Sequence, residues 1–344
     1  LADAGIEKGE VDGLVVGGLQ ESPLFPTLAL AEYLGIESSF NEVVDIGGAT
    51  SAGMIWRAAA AIEVGVANTV LVLVPSTPAP MEGGADPRKM VMPPYLMGDA
   101  WGSPQGQYDI PYGLVAATSS FAMVATRYMS QYGVAPETLA KIAVHERDNA
   151  LKNPKAVFRD KPISVEDVLK SPMVCDPIHL LEMVMPCFGG GAVVVTSAER
   201  AKRARNRPVF VSGYGECVTH KTVTYMKDMT VTPAKASADR AFRMAGADRK
   251  RIDLASFYDC FTITVLLTIE DAGFAAKGQG GRFVEEHDLR WSGDWPLNTH
   301  GGQLGMGQGG SAGGLSHVLD ALRQIQGRAG DVQLRKCDLA YVTG

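Results

Sequence analysis

The sequence predicts an α/β fold built from two similar halves, and three observations support this prediction. Short apolar segments typical of buried strands alternate with alanine-rich segments of helical periodicity. The 39 glycines collect where the apolar segments end, for example at Gly47-Gly48 and Gly301-Gly302. Several short motifs of the first half recur at matching spacing in the second half.

The strand-like and helix-like segments follow one another in a regular order. Strands are predicted where the apolar character is continuous, at residues 11–16, 43–46, 69–74, 192–196, 209–212, 252–257 and 339–342. Helices are predicted at residues 51–64, 114–132, 136–151, 236–245, 262–272 and 311–326. Continuous apolar strands are typical of a sheet that helices cover on both faces. The alternation therefore favours an α/β architecture.

The internal repeat indicates two copies of one α/β unit. In both halves the glycine of an Ala-Gly dipeptide precedes an aspartate by seven residues, at Gly5 and at Gly246. The tripeptide Ser-Ala-Gly then opens a helical segment in each half, at residues 51–53 and 311–313. The second copy has a strand before its Ala-Gly helix, whereas the first copy begins inside that helix. We therefore expect a chain that is truncated at both ends.

The repeat also predicts how the chain is divided. Residues 1–76 and 186–205 are expected to form the N-terminal half, and residues 206–344 the C-terminal half. Residues 77–185 interrupt the repeat and are expected to form a loop or lid domain, because long ordered insertions are usually functional. The first part of this insertion hints at a broad apolar pocket through four methionines, Met81, Met90, Met92 and Met97.

The composition excludes several classes of protein. The 32 basic and 38 acidic residues give a net charge of −6, so there is no basic excess for nucleic acid. The apolar runs are shorter than the roughly 20 residues that a membrane helix needs. Five cysteines without a Cys-x-x-Cys motif indicate neither a disulfide framework nor a zinc site. Because no secretory leader opens the sequence, a cytoplasmic location is expected.

An ordered series of motifs resembles one known family. Residues 298–314 are similar to the thiolase signature, in which Asn-x-x-Gly-Gly is followed by Gly-His-Pro-x-Gly-Ala. Tyr-Asp-Cys-Phe at residues 258–261 resembles the His-Asp-Cys-Phe loop of sterol-carrier-protein-type thiolases, and residues 47–53 lie where the family has its nucleophilic cysteine loop. Residues 144–147 and 190–194 also match. The chain thus resembles the thiolase superfamily, in the lipid-transfer-protein-like branch that lacks the nucleophilic cysteine.

The resemblance carries several implications. It implies the two-fold thiolase fold and coenzyme A thioesters as substrates. It also implies a homodimer and, in this branch, frequent pairing with a small zinc-ribbon and OB-fold subunit. No covalently bound cofactor and no metal site in this chain are expected, with coenzyme A entering as part of the substrate.

The departures from the family pattern predict the chemistry. Thr50 stands at the nucleophile position with Ser51 beside it, and a hydroxyl without an adjacent base is a poor nucleophile. Gln308 replaces a histidine of the family and Tyr258 replaces a histidine or asparagine, and each can donate a hydrogen bond to an oxyanion. Cys260 remains, and in sterol-carrier-type enzymes the matching cysteine is the acid or base at the substrate α-carbon.

Loss of the acyl acceptor with retention of the enolate machinery favours retro-aldol cleavage of a β-hydroxyacyl-CoA. The thiolase-like aldolases of steroid side-chain degradation resemble this chain in having a tyrosine at position 258, but they also have a second tyrosine near position 308, where this chain has none. One alternative is an acetyl-CoA acyltransferase with an unusual nucleophile, Ser51 or Cys187. Another is a non-catalytic subunit that binds acyl-CoA or serves as a scaffold.

Two sets of candidate site residues follow. The catalytic set has a phenol, a thiol, an amide and an imidazole as proton carrier: Tyr258, Cys260, Gln308 and His300. The substrate-binding set lies in the glycine-rich turns, whose free N–H groups attract anions: Thr50, Ser51, Asn298, Gly301 and Gly302. Each also has a structural explanation, since a free cysteine is often a small buried apolar residue. His145 is expected to be structural, and His317 receives no role.

Overall fold

The computed structural model describes residues 1–19, 22, 24–75, 105–114 and 116–344. The four methionines of the predicted apolar pocket lie outside these ranges. Within the described residues, no helix combines the length and apolar character of a membrane span.

The regular elements of the described residues alternate along most of the chain. The strands are β1 (Gly13–Gly17), β2 (Phe40–Val44), β3 (Thr69–Val74), β4 (Met173–Cys175), β5 (Ile178–His179), β6 (Gly191–Thr196), β7 (Leu254–Ser256) and β8 (Ala340–Val342). The helices are α1 (Pro26–Leu34), α2 (Thr50–Glu63), α3 (Ala117–Tyr132), α4 (Pro136–Ala150), α5 (Val165–Lys170), α6 (Ala198–Ala201), α7 (Ala234–Ala245), α8 (Thr262–Asp271), α9 (Gly280–Glu286), α10 (Gly302–Met306) and α11 (Gly313–Gln326).

The N-terminal half contains a mixed sheet of strand order β2-β1-β3-β6. β1 pairs in parallel with β2 and β3, and β6 joins β3 in antiparallel orientation. Side chains on one face, including Val15 and Val72, pack against Met54 and Ala58 of α2. The opposite face packs against α1. Burial on both faces explains why the strand sequences are continuously apolar.

The C-terminal half contains β7 and β8, which pair in parallel, with α7, α8 and α11 around them. The prediction of a strand at residues 209–212 is wrong, since this segment forms no strand and pairs with neither β7 nor β8. Phe210 is 70% exposed. The chain next to this segment instead lies against α7, where a Cβ atom on Gly215 would collide with the carbonyl oxygen of Ser237.

The repeated aspartates have the same function in both halves. The Asp12 carboxylate accepts hydrogen bonds from the N–H groups of Asn68 and Thr69, where β3 begins. The Asp253 carboxylate accepts hydrogen bonds from the N–H groups of Asp338 and Leu339, just before β8. Each aspartate thus lies just before one strand, β1 or β7, and hydrogen bonds to the start of the parallel neighbour, β3 or β8. This shared contact explains the matched spacing from the Ala-Gly turns.

The two helices that open with Ser-Ala-Gly contact each other near their N-terminal ends. A Cβ atom on Gly314 of α11 would lie 2.6 Å from the carbonyl oxygen of Gly48, just before α2. This close approach is possible because position 314 is glycine. It brings the two glycine-rich turns, one from each half, to the same part of the molecule. The functional side chains lie around this junction.

The helical part of the insertion supports the C-terminal half. Tyr128 of α3 and Ile142 of α4 are fully buried in one cluster with Phe257 and Leu266. The last turn of α4 packs closely against α10. This is possible because Gly301 and Gly305 have no side chain where Ala150 lies. Through this contact α4 reaches the interior beneath the candidate site. The division of the chain at residues 77, 186 and 206 stays a prediction.

Candidate active site

Three of the four predicted catalytic side chains lie along one extended, open cleft in the described part of the chain. Tyr258, Cys260 and Gln308 line it, together with Gly48 and Ala49 from the turn before α2. These residues come from both halves of the chain and are brought together by the contact of α2 with α11. The arrangement therefore depends on the two-fold architecture that the repeat predicts.

The phenol of Tyr258 is held on two sides. The Gln308 amide donates a hydrogen bond from Nε2 to Tyr258 Oη over 2.9 Å. The tyrosine ring lies over Gly48, where a Cβ atom would be 2.8 Å from the ring carbons Cε1 and Cζ. Position 48 must consequently be glycine for the ring to lie there. The phenol thus stands at the turn where the related thiolase motif carries its nucleophile.

Successive side chains of the loop after β7 lie alternately in the interior and in the cleft. Phe257 and Asp259 are completely buried, whereas Tyr258 and Cys260 line the cleft. Alternation of this kind is typical of extended backbone. The loop ends where Thr264 Oγ1 donates to the carbonyl oxygens of Tyr258 and Phe261 in the first turn of α8. The phenol and the thiol are therefore presented by one short, anchored segment.

The segment of residues 184–187 is hydrogen bonded both to the loop of Cys260 and to the loop of Gln308. The N–H of Val184 donates to the Cys260 carbonyl oxygen over 3.1 Å. The N–H of Gln308 donates to the Met185 carbonyl oxygen over 2.9 Å, and the N–H of Cys187 donates to the Gln308 carbonyl oxygen over 2.8 Å. Backbone hydrogen bonds thus fix the loop of Cys260 relative to the loop of Gln308.

The Cys260 thiol is held in its protonated form. Burial, reinforced by the negative charge of Asp259, raises the pKa of Cys260 to about 12. A protonated thiol is a poor nucleophile but can give its proton to a stronger base. The environment of Cys260 therefore suits a proton donor.

Two predicted substrate-binding residues are buried at the start of α2. Thr50 is 2% exposed, and its Oγ1 accepts a hydrogen bond from the Ile46 N–H over 3.0 Å. Ser51 is fully buried, and among the described residues its Oγ has no hydrogen-bond partner. Neither is among the described residues that line the cleft. Contact of these two hydroxyls with substrate stays a prediction, whereas Thr50 demonstrably stabilises the turn.

The Asn-x-x-Gly-Gly motif lies behind the catalytic loop. Asn298 Oδ1 accepts from the Phe257 N–H over 2.7 Å, and Asn298 Nδ2 donates to Glu146 Oε1 over 2.7 Å. Gly302 has φ +59°, and a Cβ atom there would overlap Asp259 Oδ2 and Glu146 Oε2. Gly301 packs on Ala150. Among the described residues, this motif thus contacts buried interior groups. Substrate binding by the motif stays a prediction.

His300 is also behind the loop rather than in the cleft lining of the described residues. It is 5% exposed, and its Nδ1 lies 3.1 Å from Asp320 Oδ2. Its Nε2 lies 3.1 Å from Ser316 Oγ. The structure therefore separates His300 from the other three predicted catalytic side chains, and its role as a proton carrier stays a prediction.

The interior contains a group of ionisable residues that the sequence analysis missed. His317 Nε2 lies 3.0 Å from Asp259 Oδ1, and carboxyl oxygens of Glu146 and Asp259 lie side by side against Gly302. The sequence offered one indication of this group, because Asp259 stands between the two candidate catalytic residues Tyr258 and Cys260. The partners themselves are far apart in sequence. Among the described residues, no group of three or more His, Cys, Asp or Glu side chains is arranged to hold a metal ion.

Comparisons with known proteins identify the relatives of this chain. The family model described as thiolase C-terminal domain-like matches residues 215–344. A steroid side-chain-cleaving aldolase of Thermomonospora curvata is 32% identical over 342 residues, covering 95% of this chain and 83% of the relative. An acetyl-CoA acetyltransferase of Methanothermobacter thermautotrophicus is 29% identical over 344 residues, covering 98% and 86% respectively. A solved Ltp2-ChsH2(DUF35) aldolase is 32% identical with a TM-score of 0.83, covering 95% of this chain and 82% of that chain.

The similarities extend over nearly the whole chain and include both of its halves. They confirm the predicted α/β thiolase-like fold. They also confirm the resemblance that was based on the ordered motifs from residue 47 to residue 314. The chain therefore belongs to the thiolase superfamily and, within it, to the thiolase-like group that includes the steroid side-chain-cleaving aldolase.

Proposed function

We propose that this protein is a lyase that cleaves the bond between the α and β carbons of a β-hydroxyacyl-CoA. One observation carries the proposal. The Tyr258 phenol and the Cys260 thiol line the same cleft, while the Thr50 hydroxyl is buried and bonded to the Ile46 N–H. A retro-aldol cleavage needs a base and an acid but no acyl-enzyme. The names of two relatives, a steroid side-chain-cleaving aldolase and an Ltp2-ChsH2(DUF35) aldolase, also support it.

The proposed reaction moves one proton from oxygen to carbon. Tyr258 acts as its phenolate, to whose oxygen the Gln308 amide donates: Oη takes the proton of the β-hydroxyl group, the Cα–Cβ bond breaks, and its electron pair forms the thioester enolate as the carbonyl product separates. The Cys260 thiol then gives its proton to the α-carbon of the enolate. This transfer is favourable because the enolate is a stronger base than the resulting thiolate. Transfer of the proton from Tyr258 to Cys260 restores both groups. No external reactant is consumed.

The Gln308 amide is assigned a supporting role in this scheme. Its N–H donates to Tyr258 Oη, and a donated N–H stabilises an oxygen that carries negative charge. N–H groups of the Gly47–Ala49 turn, which precedes α2, are the proposed donors to the enolate oxygen. Positioned acids and bases contribute about 10²–10⁴-fold each to a rate. The proposed base, acid and N–H donors are the kinds of group that an enolate reaction needs.

Acyl transfer is the second candidate, because one relative is named an acetyl-CoA acetyltransferase. The candidate nucleophile Cys187 lies beside the Gln308 loop, since its Sγ would be 2.9 Å from a Cβ atom on Gly307. Burial raises the pKa of the Cys187 thiol, which disfavours the nucleophilic thiolate. The geometry therefore favours the lyase over an acyltransferase that uses Cys187.

The partners and location are part of the proposal. We propose that the protein acts as a homodimer in the cytoplasm and binds a small partner subunit. The solved relative named Ltp2-ChsH2(DUF35) aldolase contains two named components, which supports a partner subunit. Coenzyme A is proposed to enter as part of the substrate.

The test separates the lyase from the acyltransferase by their need for free coenzyme A. The protein, alone and with a co-expressed partner subunit, is incubated with β-hydroxyacyl-CoA and β-ketoacyl-CoA panels. We expect aldehyde or ketone release from the hydroxyacyl substrates without free coenzyme A. Thiolysis that requires free coenzyme A, together with an acyl mass increment on the chain, would instead support acyl transfer. Absence of turnover on both panels would support the non-catalytic alternative.

A further inference from the structure

A continuous group of buried polar residues lies directly behind the catalytic loop. Asp259, His317 and Ser256 are completely buried, and Glu146 and Asp320 are at most 3% exposed. Burial of so many polar groups is unfavourable unless each is hydrogen bonded. Their hydrogen bonds therefore indicate what the group holds in place.

Asp259 is the centre of this group. Its Oδ1 accepts from the Gln303 N–H over 2.9 Å, and its Oδ2 accepts from the Leu304 N–H over 2.9 Å. His317 Nε2 lies 3.0 Å from Oδ1, on the same side as Gln303. Asp259 separates Tyr258 from Cys260 in the chain, so the contacts of its carboxylate anchor the backbone from which both cleft side chains extend.

Glu146 approaches Asp259 from α4. The Oε2 of Glu146 and the Oδ2 of Asp259 both lie against Gly302, where a Cβ atom would overlap both oxygens. Glu146 Oε2 is buried and has no hydrogen-bond partner among the described residues unless it carries a proton, and two buried carboxyl groups side by side are expected to share one proton. Burial raises the pKa of Glu146 well above its ordinary value. Although burial alone would raise it, hydrogen bonds from His317 and Glu146 hold the pKa of Asp259 well below its usual range. The shared proton is thus on Glu146.

His317 approaches Asp259 from α11. Its Nδ1 lies 3.2 Å from Ser256 Oγ at the end of β7, and its ring centre lies 6.2 Å from that of Tyr258. Burial lowers the pKa of His317, and Asp259 partly opposes this. A neutral imidazole with its proton on Nε2 donates to Asp259 and accepts from the Ser256 hydroxyl. The Gln303 amide nitrogen also lies 3.3 Å from His317 Nε2, and the Ser256 hydroxyl lies 3.4 Å from Asp320 Oδ2.

We propose that His317 and Glu146 are positioning residues for the lyase reaction, because they donate to the Asp259 carboxylate from two helices and thereby hold Tyr258 and Cys260 in the cleft. This inference rests on the proposed function. It assigns a role to a histidine outside the predicted catalytic set. It also explains why Asp259, which does not line the cleft in the described residues, stands between two residues that do.

A matched pair of amide substitutions tests His317. In His317→Gln the amide nitrogen replaces Nε2 and still reaches Asp259, whereas in His317→Asn it stops near the Nδ1 position, beside Ser256. We expect His317→Asn to lower kcat for carbonyl release by at least about tenfold with KM changed less than about twofold, because misplaced catalytic groups slow the chemical step. His317→Gln is expected to retain most of the activity. Equal kcat values for the two variants would overturn the proposal.

Glu146→Gln tests the protonation state of the carboxyl pair. A glutamine keeps the donor to Asp259 and the acceptor for the Asn298 amide but cannot ionise. We expect kcat of Glu146→Gln to exceed by at least about tenfold that of Glu146→Leu, which has neither the donor nor the acceptor. Loss of activity on this nearly isosteric change would overturn the assignment of Glu146 as a neutral donor.

A readout independent of turnover separates this inference from the proposed function. The alkylation rate of Cys260 is measured by peptide mass mapping, with buried Cys337 as an internal control for general loosening. We expect faster alkylation of Cys260, but not of Cys337, in His317→Asn than in His317→Gln. Equal Cys260 rates overturn the positioning role even in a protein without lyase activity. A rate difference in a protein that releases no carbonyl product overturns the lyase proposal alone.

Discussion

The Gln308 amide nitrogen lies 2.9 Å from the Tyr258 phenol oxygen, although the two residues are 50 positions apart in the sequence. The contact joins the loop after β7 to the turn before α11. It also places the phenol over Gly48 of the N-terminal half. The proposed chemistry depends on this contact, and the first two predictions test it.

Removal of the Tyr258 hydroxyl tests the proposed base. We expect Tyr258→Phe to lower kcat for carbonyl release by about 10²–10⁴-fold, the usual contribution of a positioned acid or base. The ring remains over Gly48, so the thermal unfolding midpoint is expected to change little. Tyr225→Phe, at a site that is 55% exposed, serves as the control and should keep full activity. An unchanged kcat in Tyr258→Phe would show that the base is another residue.

Loss of the Gln308 amide is expected to have a smaller effect. A hydrogen bond to a charged group contributes about 1.5–3 kcal/mol, so Gln308→Leu should lower kcat by about 10–10²-fold. Because the amide acts through Tyr258, the same substitution should have little effect in a Tyr258→Phe background. Steady-state kinetics of the two single variants and the double variant measure this coupling. Additive effects would mean that Gln308 acts independently of Tyr258.

A methyl group at position 48 is expected to displace the Tyr258 ring. The added Cβ atom of Gly48→Ala would lie 2.8 Å from the ring carbons, so the ring must move. We expect kcat to fall by at least about tenfold, since small displacements of reacting groups are costly. Gly9→Ala is the matched control, because a Cβ atom there has no neighbour within 4 Å. Similar activity of the two variants would argue against a fixed phenol.

Substitution of Gly302 is expected to destabilise the fold. The Cβ atom of Gly302→Ala would overlap the carboxylate oxygens of Asp259 and Glu146, and the residue has φ +59°. Overpacking costs about 1–3 kcal/mol and the left-handed conformation about 1–2 kcal/mol more. Gly65→Ala isolates the second cost, because Gly65 has φ +76° and open space around it. Urea unfolding should show a clearly larger loss for Gly302→Ala, and equal losses would contradict the crowding.

Stability is expected to decrease at acidic pH partly through His145. Burial lowers the pKa of His145 to about 4 from an ordinary 6.5. Between these values the unfolded chain binds a proton that the folded chain does not, so stability falls as the pH falls. At about 1.4 kcal/mol per pKa unit, the contribution is about 3 kcal/mol and is complete below pH 4.

The variant His145→Asn isolates this contribution. It keeps an acceptor for the Leu289 N–H, which donates to His145 Nδ1 over 3.3 Å, but it does not titrate. The free energy of unfolding, measured by urea titration from pH 7 to pH 4, should therefore fall less steeply in the variant. Parallel pH profiles for the variant and the parent protein would show that His145 is not the group responsible.

The sequence predicted most elements because their causes are local. Continuous apolar runs located β3 and β6, and the Ser-Ala-Gly motifs located the starts of α2 and α11 within two residues. The seven-residue spacing marked Asp12 and Asp253, which hold equivalent strands. The strand predicted at residues 209–212 is not formed in the structure, because an apolar run marks a segment that can become a strand but does not supply the paired neighbour that a strand needs.

The sequence by itself determined the α/β architecture and the superfamily, and it singled out a phenol, a thiol and an amide as candidate site groups. Only the tertiary structure decided that Tyr258, Cys260 and Gln308 share a cleft while Thr50, Asn298 and His300 are buried. It also decided that Glu146 and His317 meet at Asp259, since Glu146 bonds to Asn298 across 152 positions. Periodicity records which face of an element is buried, whereas the partner of a buried polar group is set by how distant segments pack.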